Sequence, residues 1–184
     1  MRPFTWIATL ATMVSIATPA PRTYAAATDS LALRTTAAAD DSARDTLPAF
    51  APDFMLPDAS GRPHRFLGYP GRLHVLVYWS PECPECKQDL PRLADLYARE
   101  RGNGLAMVTV TGGRLGPEAA AYAKERGYRF PVLFDEMGKV VRLYNVRLTP
   151  TVCVVRGGRV LYRHEGYDPA VGDSLVREVE SLLE

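Results

Sequence analysis

Three cysteines in 184 residues are too few for a disulfide scaffold, and a chain of this length can build a core without one. Neither sign of charge is in excess: 22 Lys and Arg against 21 Asp and Glu leave a formal net charge of +1. There is no long basic block either, so nothing argues for nucleic acid as a partner. The three histidines, His64, His74 and His164, are scattered and make no metal-ligand spacing. No apolar run reaches the ~20 residues that a membrane-spanning helix needs, and no internal repeat is visible. What is present is ordinary for a packed core, 47% hydrophobic and 23% charged residues, in a length that suits one domain.

The chain opens like an export signal. Arg2 precedes an uncharged, largely apolar stretch over residues 4–17, and small residues follow, ending in Ala25, Ala26 and Ala27. Residues 1–27 are therefore expected to be a signal peptide, with an uncleaved membrane anchor as the other reading. The mature protein would then work in a periplasm or otherwise outside the cytoplasm. No cysteine lies near the signal, which argues against a lipid-anchored form. Residues 28–47 are rich in Ala, Thr and Asp, lack aromatics and show little periodicity, the composition of a flexible linker.

A folded domain is expected over residues 48–184. Two short strands flank the turn-forming Asp58-Ala59-Ser60-Gly61. Residues 73–79 (LHVLVYW) and 105–111 (LAMVTVT) read as strands buried on both faces. Between them a helix should open at the cysteines and carry Cys86, Leu90, Leu93 and Tyr97 on its apolar stripe. A second helix starts at Gly116-Pro117-Glu118, and a short apolar run (131–134) and a short helix (137–144) follow. Gly157-Gly158 joins two strands as a hairpin. Asp168-Pro169 caps a last helix with Val171, Leu175, Val179 and Leu182 on one face. This order predicts an α/β sandwich: a mixed central sheet flanked by helices, with an N-terminal hairpin extension.

The chemistry concentrates in WSPECPECKQDLP, residues 79–91. Cys83 and Cys86 are spaced to form a disulfide that opens and closes, a static staple, or half of a metal site. A structural zinc site wants four ligands, and only Cys153 and isolated histidines remain to supply them; copper(I) held by the dithiol alone is a second metal reading. A static disulfide closing so short a loop would restrict the unfolded chain little. For a working dithiol, the start of a helix favours thiolate at Cys83, because unpaired N–H groups and the positive dipole end face the sulfur. Pro84 suits a first helical turn. Cys83 is then the exposed attacking thiol, and Cys86, one turn in on the buried face, resolves the mixed disulfide.

The motif resembles the thioredoxin superfamily, and within it the exported TlpA/ResA-like thiol–disulfide oxidoreductases, in the CPxC variant of MauD-like proteins. The resemblance covers roughly residues 48–184. It rests on an apolar strand ending in Trp79, on CPEC with Pro91 five residues after Cys86, and on Thr149-Pro150-Thr151 before a strand and hairpin. It implies a thioredoxin-like fold, a kink at Pro91, a cis-proline at Pro150 beside the dithiol, and a substrate-binding surface at Trp79, Thr149 and Pro150. It implies no cofactor beyond the redox-active Cys83–Cys86 disulfide. The partners it implies are cysteine-containing exported proteins, apocytochrome c among them, reduced with electrons from a membrane donor. It also implies a proton-handling role for Asp89, three residues beyond Cys86.

Two residues depart from the family pattern. Glu82 stands where tryptophan precedes the first cysteine, and Glu85 stands where many relatives carry proline, with Pro84 moved next to Cys83. Both carboxylates should disfavour thiolate, so Glu82, Pro84 and Glu85 are the expected tuning residues. Lys87 reads as a solvated charge and Cys153 as a small buried hydrophobe. A peroxiredoxin-like thiol peroxidase is the competing enzyme reading, because Cys83 precedes a proline and Ser80 lies three residues upstream of it.

Overall fold

The computed structural model describes residues 50–184, so the expected signal peptide and linker lie outside the described residues. Two short strands, β1 (Met55–Pro57) and β2 (Pro63–Arg65), pair antiparallel with Leu56 opposite His64. The turn between them is organised by one carboxylate. Asp58 Oδ1 accepts from the backbone N–H of Ser60 (2.8 Å) and Arg62 (3.1 Å) and from the Ser60 hydroxyl (2.6 Å). Its Oδ2 meets His64 Nε2 at 2.8 Å.

The main sheet has five strands in the order β5-β4-β3-β6-β7. Its centre is β3 (Leu73–Tyr78), parallel to β4 (Leu105–Gly112) on one side and antiparallel to β6 (Thr151–Arg156) on the other. β5 (Val132–Asp135) extends the parallel half, and β7 (Arg159–Glu165) closes the antiparallel half through a hairpin. Gly157 and Gly158 both have positive φ (56° and 76°), the backbone that a two-residue hairpin turn of this hand requires.

Side-chain alternation along β3 divides the core in two. Leu73, Val75 and Val77, with Trp79 beyond the strand end, face α1 (Pro84–Glu100), α2 (Gly116–Glu125) and α4 (Pro169–Leu183). Leu76 and Tyr78 face the other way, onto α3 (Lys139–Leu143) and the N-terminal segment. On that second side Phe54 and Phe66 stack at 5.1 Å, and Tyr144 meets both rings edge-on while its hydroxyl donates to the Pro52 carbonyl. The buried Asp135 carboxylate accepts from the N–H groups of Lys139 (2.6 Å) and Val140 (2.9 Å), which starts α3 later than residue 137. Met137 is left exposed.

Two helical faces differ from the periodicity reading. In α1 the buried stripe is Cys86, Asp89, Leu90, Leu93 and Leu96, with Tyr97 only partly covered; a carboxylate therefore lies inside it. In α4 it is Gly172, Leu175, Val179 and Leu183 rather than the face bearing Val171 and Leu182, a rotation that brings a glycine against α1. The α4 cap is as expected: Asp168 Oδ1 accepts from the N–H groups of Ala170 and Val171. Among the described residues no helix is long and apolar enough to cross a membrane.

The turn carboxylate gives a pH prediction. Hydrogen bonds from Ser60 and His64 hold Asp58 well below its ordinary carboxylate range. A group so depressed contributes stability that is present above its unfolded value, near 3.8, and is lost as pH falls through the lower folded value. An NMR pH titration should show Asp58 still ionised where the exposed carboxylates are half-protonated, and Asp58→Asn should abolish that late step.

Candidate active site

The site forms where β3 ends and α1 begins. The Trp79 N–H donates to Val110 O at 2.9 Å, which holds the strand end in the sheet. The chain then turns through Ser80 to Glu82: the Cys83 N–H reaches the Ser80 carbonyl (3.1 Å) and the Glu82 N–H its hydroxyl (3.1 Å). Cys83 is the N-cap of α1, in extended backbone, and its sulfur accepts from the Cys86 N–H at 3.0 Å. Pro84 fills the first helical position, where its missing N–H leaves nothing unpaired.

Cys83 and Cys86 are joined as a disulfide with their Cα atoms 5.3 Å apart. In this oxidised form Cys83 is only 9% exposed, less open than the sequence suggested, because the chain around Thr149 covers it. Cys86 is fully buried, so Cys83 remains the accessible sulfur of the two. The Thr149 carbonyl lies 3.5 Å from Cys83 Sγ, and the peptide bond leading into Pro150 is cis. That loop is held from both sides: Thr151 Oγ1 donates to Leu148 O (2.6 Å), and the Gly166 N–H donates to Pro150 O (2.8 Å).

The two glutamates differ in reach. Glu85 Oε2 stands 3.7 Å from Cys83 Sγ, whereas Glu82 is exposed and its side chain makes no polar contact among the described residues. The carboxylate that can oppose a Cys83 thiolate directly is therefore Glu85. Lys87 is exposed, as expected of a solvated charge, and lies over the Tyr122 ring, 5.4 Å from its centroid, with Arg126 at 4.8 Å. Trp79 is fully buried and tilted against Tyr122 at 5.8 Å. It offers no surface to a substrate, and its place is the core beneath the dithiol.

Asp89 is 7% exposed and pairs with Arg92 one turn further along α1. Arg92 in turn binds Asp173 (2.8 Å) and the Pro169 carbonyl (3.0 Å) on α4. The Asp89–Arg92 spacing is an i,i+3 ion-pair signal visible in the sequence. Asp173 lies 81 residues away with no local signal, and neither it nor Gly172 was among the expected site residues.

Cys153 lies on the other face of the sheet from the dithiol, fully buried and opposite Leu76 and Arg163 in the strand register. Burial pushes its thiol up to about 12, against an opposing effect of Arg163. A thiol so protonated is a poor nucleophile, and the position is one of packing.

A dithiol at a helix start, facing a cis-proline loop across a mixed five-stranded sheet, defines a thioredoxin-like protein. The chain belongs to the AhpC/TSA family, whose model matches residues 49–164. It is similar to the thiol-disulfide oxidoreductase ResA of Geobacillus thermodenitrificans, 31% identical over 111 residues, which are 60% of this chain and 64% of that one. The match thus spans slightly less than two thirds of that relative's length. Among solved structures, a Chlorobium tepidum protein assigned as the thiol:disulfide interchange protein DsbE superposes with a TM-score of 0.68 at 29% identity. It covers 76% of this chain and 100% of its own. The pneumococcal exposed lipoprotein thioredoxin Etrx1 of Streptococcus pneumoniae gives 0.59 at 26% identity, covering 71% and 99%.

Removing the Glu85 charge should ease ionisation of Cys83. In Glu85→Gln the midpoint of Cys83 alkylation, followed against pH by mass spectrometry of the reduced protein, should fall by roughly half to one pH unit, the size a partly screened charge at this range supports. Cys153 should stay unlabelled in the folded protein throughout.

Proposed function

We propose that this protein is an exported thiol–disulfide oxidoreductase that reduces disulfides in other proteins through its CPEC dithiol. The observation that carries the reading is the Cys83–Cys86 disulfide at the start of α1, with the less buried sulfur 3.5 Å from the cis-proline loop. A partner chain lying along Thr149 and Pro150 would bring its own disulfide to Cys83.

In this mechanism the Cys83 thiolate attacks one sulfur of the substrate disulfide, and the other substrate sulfur leaves and takes a proton. Cys86 then gives its proton to Asp89, and its thiolate attacks Cys83 Sγ. The bond from Cys83 to substrate breaks, and the second substrate sulfur leaves as thiolate and is protonated. Two electrons pass from the dithiol to the substrate. The proton Cys83 released to solvent on ionising and the one Cys86 gave to Asp89, which passes on to solvent, balance the two taken up by the substrate sulfurs. The protein is left with the Cys83–Cys86 disulfide. The Cys86 N–H that already donates to Cys83 Sγ, together with the dipole of α1, stabilises charge at the attacking sulfur.

Repeated reduction needs an electron donor for the spent disulfide, and we assign that role to a membrane protein facing the same compartment. Export rests on the N-terminal sequence of Arg2 and the apolar residues after it, and it accords with a relative described as an exposed lipoprotein. The substrates are cysteine-containing exported proteins, with apocytochrome c as one candidate.

Equilibration of the protein in a series of thiol–disulfide buffers, with free thiols counted by mass spectrometry, should show one reversible two-electron couple confined to Cys83 and Cys86. Cys86→Ser should accumulate a stable mixed disulfide at Cys83. Oxidation of Cys83 to sulfenic acid by peroxide at catalytic rates would replace this reading with a peroxidase, and stoichiometric metal retention would replace it with a metal carrier.

A further inference from the structure

Gly172 lies within α4, where glycine is less favourable than alanine. A Cβ at this position would collide with the Arg92 guanidinium. The space an alanine methyl would take is thus occupied by a guanidinium. That guanidinium is fixed by four groups or surfaces: the Gly172 backbone beneath it, Asp173 and the Pro169 carbonyl on α4, and Asp89 on its own helix. Its side chain is only 20% exposed, and Asp89's is 10% exposed.

A carboxylate this buried needs a paired cation to be tolerated as an anion. Asp89 shares the buried stripe of α1 with Cys86, one turn apart, and its ion-pair partner is Arg92 of the same helix, which α4 holds through Asp173 and Pro169. The other charged or titratable groups around the pair are the Tyr162 phenol on β7, which Asp89 and Asp168 both influence, and Asp95, Arg99 and Arg177 along the groove between α1 and α4.

We propose that Arg92 is a positioning residue for the resolving step. By seating on Gly172 it ties Asp89 to α4 and holds that carboxylate against its cation, one turn from Cys86 on the same buried stripe of α1. The inference rests on the reading of Asp89 as proton acceptor and adds the device that keeps Asp89 ready. In the step itself, the proton passes from the Cys86 thiol to Asp89 Oδ, the Cys86 thiolate forms a bond to Cys83 Sγ, and the electron pair of the broken Cys83–substrate bond leaves on the substrate sulfur. Arg92 transfers nothing. It holds the acceptor in place.

Single-turnover reaction of the reduced protein with an aromatic disulfide whose released thiolate absorbs light separates the two chemical steps. The first release reports Cys83, and the second reports resolution by Cys86. Arg92→Gln should leave the first phase in place and move the pH midpoint of the second upward by about one unit, a roughly tenfold loss of rate below the midpoint. Gly172→Ala keeps the Arg92 charge but expels it from its seat, so it should produce the same shift while helix propensity supports folding; it serves if Arg92→Gln does not fold. In an Asp89→Asn background neither change should shift the midpoint further. A second-phase midpoint that stays put in both variants, or an equal shift with Asp89 absent, overturns the proposal. If Asp89→Asn alone leaves the second phase unaltered, it is the proton-acceptor reading of Asp89 that fails.

Discussion

One sulfur atom does two jobs in this structure. Cys83 occupies the position where helices ordinarily place Ser, Thr, Asp or Asn, and its Sγ takes the N–H that such a side-chain oxygen would take. The group that caps α1 is therefore also the less buried half of the dithiol. This couples the two: whatever holds the start of α1 against the end of β3 also fixes the sulfur, and the ladder from β3 to β4 and β6 fixes the end of β3. The Thr149–Pro150 loop is registered against the same point because β6 follows it directly and pairs with β3, Thr151 opposite Tyr78.

Around that sulfur the charges are unevenly placed. Glu85 stands next to Cys83 and opposes its ionisation, while the helix start and the Cys86 N–H favour it. Deeper in, Asp89 is matched by Arg92, and Arg92 is matched again by Asp173. Among the described residues, the carboxylate beside the outer sulfur thus has no cation partner, whereas the carboxylate one turn beyond the inner cysteine is paired. A difference of this kind between the two sulfurs is what a mechanism with an attacking and a resolving cysteine uses.

Much of this was legible in the sequence, for physical reasons. The strands with both faces buried announce themselves as apolar runs, and the turns at Asp58, Gly157-Gly158 and Asp168 announce themselves through residues chosen for local backbone geometry. The dithiol, Pro84 and the Thr149-Pro150 pair are likewise local. Trp79 was harder to place, because a residue at a strand end faces core or solvent depending on which helix covers it, and α2 covers it here through Tyr122. The buried stripe of α1 was misread at Asp89 because periodicity counts apolar side chains, and a carboxylate hides in such a stripe when its cation comes with it. Arg92's second partner is far along the chain, and no local pattern marks Gly172 as the residue that lets α4 approach.

The segregation of the cysteines by the sheet has a consequence for the chain as a whole. Three thiols permit three pairings, but β3 and β6 stand side by side with Cys153 directed to one side and the CPEC pair to the other. Two of the three pairings would require a sulfur to pass through a hydrogen-bonded strand layer. The sheet therefore works as an insulator between a reactive compartment and a silent one. Cys153, fully buried on the far face, becomes reachable when that layer opens, so its labelling reads opening of the fold while labelling of the CPEC thiols reads the site.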